Sequence, residues 1–202
     1  VSLLKRDNPP FFMTGEDNQL EGFDVTMAKE IAAALDVDIE FRRTATTFDE
    51  VVDDVYTHQA DLAISKISRT LKRAKRTRFS EPYLNLRQGL LVNRLELAQT
   101  SQENDMTEMI RNLKGKIAVI KGSSYAGFAK QKFPQATVVS YPNWSDVVEA
   151  VTSGEVLAAY RDELEVKKIV LSRPDAALQF QTNALTATQD PLSIVLPWDS
   201  AH

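Results

Sequence analysis

The chain has 202 residues, 43% of them hydrophobic and 26% charged, with 7 Gly, 8 Pro and no Cys; this excludes collagen-like, disulfide-scaffolded and disordered chains and allows one domain or two lobes of about 100 residues each. With 24 Lys and Arg against 28 Asp and Glu the formal charge is −4, so bulk electrostatics favour neither nucleic acid nor anionic lipid, and any anion site has to be local. Lacking Cys, the chain offers no disulfide, thiol nucleophile or Cys-ligated zinc, only His58 and His202 supply imidazole, and no metal or cofactor is implied.

Apolar and β-branched runs alternate with helical patterns, which predicts α/β architecture with largely parallel sheets. Val1 to Leu4 reads as the first strand. A Pro9-Pro10 turn and the polar loop Gly15 to Gln19 precede Asp24, the expected N-cap of a helix from Val25 to Leu35 with Met27, Ile31, Ala32 and Leu35 on one face. Asp38 to Phe41 reads as a strand, Thr47 to His58 as a helix with apolar Phe48, Val51, Val52 and Val55, and Asp61 to Ser65 as a third strand. Tyr83 to Leu97 is extended and Leu-rich, and polar Gln99 to Glu108 reads as a surface loop.

A second series begins with the strand Lys116 to Ile120, a Gly122-Ser123-Ser124 turn and a helix to about Lys132. The strand Thr137 to Tyr141, the helix Ser145 to Ser153, the stop at Gly154, the strand Val156 to Tyr160 and a helix capped by Asp162 follow. The halves repeat in order of elements, not in residues. Pro191 to Pro197 is a second apolar run able to return the chain to the first lobe; two extended crossings make a hinge.

Seven basic residues fall between Lys66 and Arg78, a pattern read either as a solvated helix face or as a nucleic-acid patch. Arg73 is the member that points to a local anion site. Thr70 can cap the following helix and place Arg73 at its third position, where a cation opposes the helix dipole unless guanidinium and backbone N–H groups converge on an anion. Gly122-Ser123-Ser124 is either a tight turn with a Ser cap or a place where small side chains leave N–H groups accessible to an anion. Asp162, at the carboxyl end of a strand, is either a cap or a ligand group. An anion site in each lobe plus one carboxylate describes a receptor for a zwitterion.

The segments Gly22 to Ile31, Asp61 to Arg73, Phe79-Ser-Glu-Pro-Tyr83, Leu113 to Lys116, the Gly122 turn and Tyr160 to Glu163 resemble the bacterial periplasmic solute-binding proteins of family 3, specific for polar amino acids. The resemblance runs over about residues 5 to 195. It implies the two-lobed type 2 periplasmic-binding fold, each lobe a mainly parallel sheet flanked by helices: lobe 1 from residues 1–87 and 193–202, lobe 2 from 91–188, and two hinge strands crossing near 87–91 and 188–195. It further implies a clamshell that closes on an amino acid, with no cofactor. The residue matching Arg73 grips the α-carboxylate with help from Ser68, while Gly122, Ser123 and Ser124 meet that carboxylate from the second lobe. Asp162 takes the α-ammonium group, and Phe48 packs on the aliphatic part. Lys66 stands where the resemblance expects glycine, a position whose carbonyl accepts from the ammonium group. Where many relatives carry Asp and an aromatic, this chain has Lys5-Arg6-Asp7-Asn8. With Lys66, Lys5 suits a second ligand carboxylate, so glutamate or aspartate is the expected ligand; the alternative is that Lys5 and Arg6 are exposed strand-end charges.

The resemblance also implies an extracytoplasmic monomer partnered by a membrane permease or a fused membrane domain. No apolar run reaches the roughly 18 residues of a spanning helix, so the chain itself is not expected to insert in a membrane. It opens without the zones of a signal peptide and stops soon after Trp198, where the family usually continues with a helical segment, so a processed or excised domain of a receptor, transporter fusion or cell-wall enzyme is the alternative. A cyclohexadienyl-type dehydratase is a further alternative, for which Glu163 or Asp7 would have to serve as general acid or base.

Overall fold

The computed structural model describes residues 1–100, 112–172 and 175–199. The chain divides into two compact units, residues 1–85 with 191–202, and residues 86–190. Part of the loop expected over Gln99 to Glu108 lies outside the described residues.

In the first unit the sheet is reduced to single-residue bridges. Ser2 bridges Arg42 and Ala63 in parallel, and Ala63 bridges Val195 antiparallel, so the three segments expected as strands are present without forming ladders. Asp38 to Phe41 departs furthest: its bridge falls at Arg42, and the segment is tied to the start of the chain by Val1 N to Glu40 O at 2.7 Å and Arg42 N to Val1 O at 2.9 Å. The polar loop Gly15 to Gln19 closes a hairpin of β1 (Met13–Thr14) and β2 (Leu20–Glu21).

Helix α1 spans Phe23–Ala34 and is capped at Gly22, not at Asp24. Gly22 has φ +118°, and a Cβ there would lie 2.6 Å from the Phe11 carbonyl oxygen; only glycine brings the chain this close, so the helix starts early and Asp24 enters its first turn. That phase buries Val25, Ala28 and Ala32 and leaves Leu35 65% exposed, in place of the Met27, Ile31 and Leu35 face. Helix α2 (Phe48–Tyr56) begins where Thr47 accepts from the Glu50 N–H and buries Val51, Val52 and Val55. Helix α3 (Leu71–Ala74) is one turn, capped by Thr70, and β3 (Arg78–Phe79) pairs antiparallel with β9 (Val195–Leu196).

The second unit holds a five-stranded sheet in the order β6-β5-β7-β4-β8. Strand β5 (Gly115–Ile120) runs parallel to β6 (Ala136–Tyr141) and β7 (Ala158–Asp162), and β7 runs antiparallel to β4 (Leu84–Asn93). Alternation along the strands feeds two cores. Leu90, Val92, Ile117, Val119, Ala158 and Tyr160 face α5 (Tyr125–Lys132), whereas Leu91, Ala118 and Ala159 face α6 (Trp144–Thr152) and α7 (Glu163–Ser172). The extended run expected to reach Leu97 ends at Asn93. Its Oδ1 accepts from the N–H groups of Leu95 and Glu96 at 3.0 and 3.2 Å, starting α4 (Arg94–Thr100). Strand β7 lies two residues later than Val156 to Tyr160, which makes Asp162 its last residue. After α8 (Ala176–Gln179), β8 (Phe180–Leu192) forms the sheet edge; the unit boundaries fall within β4 and β8.

Candidate functional site

Of the residues singled out in the first unit, Arg73 has a side chain that is 2% exposed. Its Nε and Nη2 donate to Asp49 Oδ1 at 3.1 and 3.0 Å, and Nη1 donates to the Ser68 carbonyl at 3.2 Å. Its N–H meets Thr70 Oγ1 at 3.3 Å. The expectation that Arg73 opposes a helix dipole is corrected here: α3 is one turn, too short for a sizeable dipole, and the carboxylate of Asp49, in the first turn of α2, balances the guanidinium. Lys72 Nζ reaches Asp49 Oδ2 at 2.7 Å. Burial works against ionisation of Asp49, yet Lys72 and Arg73 hold its carboxyl below the usual range. Phe48, the residue before Asp49, is half-buried.

Ser68 is buried and its segment is sewn to the returning chain. Arg69 N donates to Pro191 O at 2.8 Å and Ser193 N to Ile67 O at 3.0 Å. Lys66 adopts φ +52°, the left-handed region that explains why the resemblance expects glycine there. Its N–H donates to Asp24 Oδ2 at 2.7 Å and its ammonium group lies 4.7 Å from the centre of the Phe11 ring. The two cations assigned to the rim therefore differ: Lys66 is buried and Lys5 is exposed. The Lys5 backbone is held from both sides, its N–H by Ala45 O at 2.8 Å and its carbonyl by Arg43 Nη2 at 2.6 Å.

In the second unit Gly122 takes φ +70°, the conformation for which the turn needs glycine. Ser123 Oγ donates back to the Ile120 carbonyl at 2.7 Å. Ser124 occupies the N-cap position of α5 in helical backbone conformation without closing a side-chain cap, so the turn places Ser at the cap position but its hydroxyl does not cap the helix. Asp162 is 2% exposed, and its Oδ1 accepts from the Glu165 N–H at 3.2 Å; it does cap α7. Its Oδ2 lies 3.6 Å from Arg161 Nε, and that guanidinium stacks on Trp144 at 5.0 Å.

Several buried polar contacts escaped the sequence reading. Asp24, fully buried, accepts from Lys66 and from the Tyr83 hydroxyl at 3.2 Å. In the second unit the Tyr125 hydroxyl donates to Asp190 Oδ2 at 2.9 Å, Tyr160 donates to Gln88 Oε1, and the two tyrosine rings meet edge to face at 5.1 Å. Burial drives the Tyr125 phenol up, with Asp190 and Asp162 adding to the shift, which brings the carboxylate at the end of β7 and that near the end of β8 to bear on the residue following the Gly122 turn. The available signal was a polar residue, Gln88 or Asp190, at the edge of an apolar run.

The two dehydratase candidates are held ionised. Lys167 and Arg87 hold Glu163 below its ordinary range against some burial. For Asp7, burial is overcome by Arg43, at 2.7 Å, and by the Thr14 N–H. A general acid at neutral pH needs the opposite shift. Among the described residues no group of three or more His, Asp or Glu is placed to hold a metal ion, and no helix is long and apolar enough to cross a membrane.

Comparison with known proteins gives one consistent relationship. The arginine-binding protein 1 of an ABC transporter of Escherichia coli (strain K12) is 23% identical over 167 residues, covering 82% of this chain and 64% of that protein. The ABC transporter glutamine-binding protein GlnH of Bacillus subtilis (strain 168) is 26% identical over 185 residues, covering 88% and 62%. The chain thus spans less than two thirds of the length of these curated relatives. Among solved structures, the amino acid ABC transporter substrate-binding protein AbpA from Streptococcus pneumoniae Canada MDR_19A, bound to L-arginine, superposes with a TM-score of 0.77 at 27% identity, covering 98% of this chain and 81% of that one. The fold is that of the type 2 periplasmic binding proteins. A family model matches residues 3–135, and the chain belongs to the bacterial extracellular solute-binding proteins, family 3.

Proposed function

We propose that the chain binds a free α-amino acid outside the cytoplasm and delivers it to a membrane permease. Arg73, with Ser68, takes the α-carboxylate from the first unit, and the N–H groups of the Gly122-Ser123-Ser124 turn take it from the second. Asp162 and the Lys66 carbonyl take the ammonium group, and Phe48 covers the aliphatic part. The observation that carries this reading is the buried Arg73 guanidinium, oriented by Asp49 and the Ser68 carbonyl, since a fixed, desolvated fork suits two parallel bonds to a carboxylate. Relatives named for arginine and glutamine support the head group and leave the side chain open. For the side chain we propose an acidic residue, supported by the buried Lys66 cation. Lys5, with its exposed side chain, contributes less than Lys66.

A thermal-shift screen of the purified chain against the twenty amino acids and simple dicarboxylates tests both levels, because a ligand that binds only the folded state raises the melting temperature. Selective stabilisation by glutamate or aspartate is expected. Stabilisation by arginine or glutamine instead would retain the head-group site and overturn the acidic preference, and no response to any amino acid would overturn the reading itself.

A further inference from the structure

Asp24 lies in the first turn of α1 with no exposed surface, and three segments distant in sequence converge on it. Its own N–H donates to Phe11 O at 2.8 Å. Its Oδ2 accepts the Lys66 N–H at 2.7 Å and its Oδ1 the Tyr83 hydroxyl at 3.2 Å. A lysine in left-handed backbone conformation works against its own steric preference, so a buried acceptor on its N–H helps keep residues 65–68 in place. The Lys66 ammonium group is buried as well, over the Phe11 ring, and its charge acts on Asp24. The titratable groups facing Asp24 are thus Lys66, from the segment that carries Ser68, and Tyr83. The neighbouring rings, Phe11 against Phe23 and Phe23 against Tyr83, supply no compensating charge.

We propose that Asp24 is a specificity-determining positioning residue. As a carboxylate it offsets the Lys66 charge; as a neutral acid it leaves this segment one positive charge richer, so the preference for an acidic over an isosteric neutral amino acid rises on protonation. The inference rests on the amino-acid reading above. Burial pushes the Asp24 carboxyl up to about 6, against the opposing pull of the Lys66 N–H, the Tyr83 hydroxyl and the Lys66 charge. The change therefore falls above the range where a glutamate side chain, with a pKa of about 4.3, loses its own charge.

The test is titration calorimetry with L-glutamate and L-glutamine from pH 5 to pH 8 on the wild type and on Asp24→Asn. In the wild type the ratio of glutamine to glutamate dissociation constants should rise about tenfold on acidification, the scale of one nearby charge in a partly screened site. In Asp24→Asn it should sit at the acid value throughout. A general loss of structure weakens both ligands alike and leaves the ratio unchanged. A wild-type ratio independent of pH, or a variant that keeps the wild-type rise, would overturn the proposal. Should Asp24→Asn fail to fold, Lys66→Met serves instead: lacking the cation, its ratio should be lower than the wild type's at every pH, and a ratio equal to the wild type's would overturn the proposal. If neither amino acid binds at any pH, the amino-acid reading fails, and NMR then judges Asp24 separately: the Lys66 amide should titrate with the Asp24 carboxyl near pH 6, and an amide indifferent to that titration would overturn the link.

Discussion

At the scale of single residues the chemistry rests on charges taken out of water and given partners. Arg73→Ala removes the guanidinium that faces Asp49 and the Ser68 carbonyl, and on the proposed function it should weaken every amino acid ligand by about a hundredfold or more, read by calorimetry. Asp162→Asn keeps an oxygen able to cap α7 through the Glu165 N–H but loses the charge, so folding should survive while amino-acid affinity falls; unchanged affinity would remove Asp162 from the site. Asp24 also makes a stability prediction. Its carboxyl is raised from 3.8 to about 6 in the fold, so between those values the folded chain holds more proton than the unfolded one. Its contribution is most favourable below the unfolded value and is lost as pH rises through 6, by on the order of 3 kcal/mol. Denaturant unfolding of the wild type and Asp24→Asn should show this difference fading as pH falls toward 4. Arg73 was legible in the sequence because its cap, Thr70, is local; Asp49 and Asp24 were not, since their partners lie 24 and 42 residues away.

At the scale of elements, local signals worked where the backbone's own groups decide the outcome. Thr47 and Thr70 cap the helices that follow them, and Thr47→Ala should cost about 1 kcal/mol in denaturant unfolding. The start of α1 was misplaced because the deciding contact is tertiary: the Phe11 carbonyl leaves no room for a Cβ at Gly22. Gly22→Ala must meet both that contact and an unfavourable φ, so a loss of about 2 kcal/mol or more is expected. A melting temperature equal to wild type would mean that the Phe11 turn moves freely. The strands of the first unit were legible as apolar runs, but their reduction to bridges was not; composition records which residues avoid water, and ladder length depends on how far neighbouring segments stay in register.

At the scale of the whole molecule, each unit carries its own buried residues, and in the second a polar network joins Tyr125 to Asp190 and Tyr160 to Gln88. These bonds place buried polar groups near both chain crossings of that unit, the locations that apolar patterning passes over. Because ligand binding stabilises by mass action, a hundredfold excess of ligand over its dissociation constant should add about 2.7 kcal/mol to unfolding of the wild type, an increment that Arg73→Ala should erase. An undiminished increment in that variant would move the carboxylate site elsewhere.

The sequence by itself determined the α/β class, the alternating order of elements, the family, and the residues Arg73, Ser68, Asp162 and the Gly122 turn as candidates, because periodicity, caps and glycine turns act over a few residues. The tertiary structure decided that Asp49 balances Arg73, that Lys66 is a buried cation and Lys5 an exposed one, and that Asp24 lies beneath the Lys66 segment. Burial and charge pairing are properties of residues far apart in the chain, and these set the electrostatics of the proposed site.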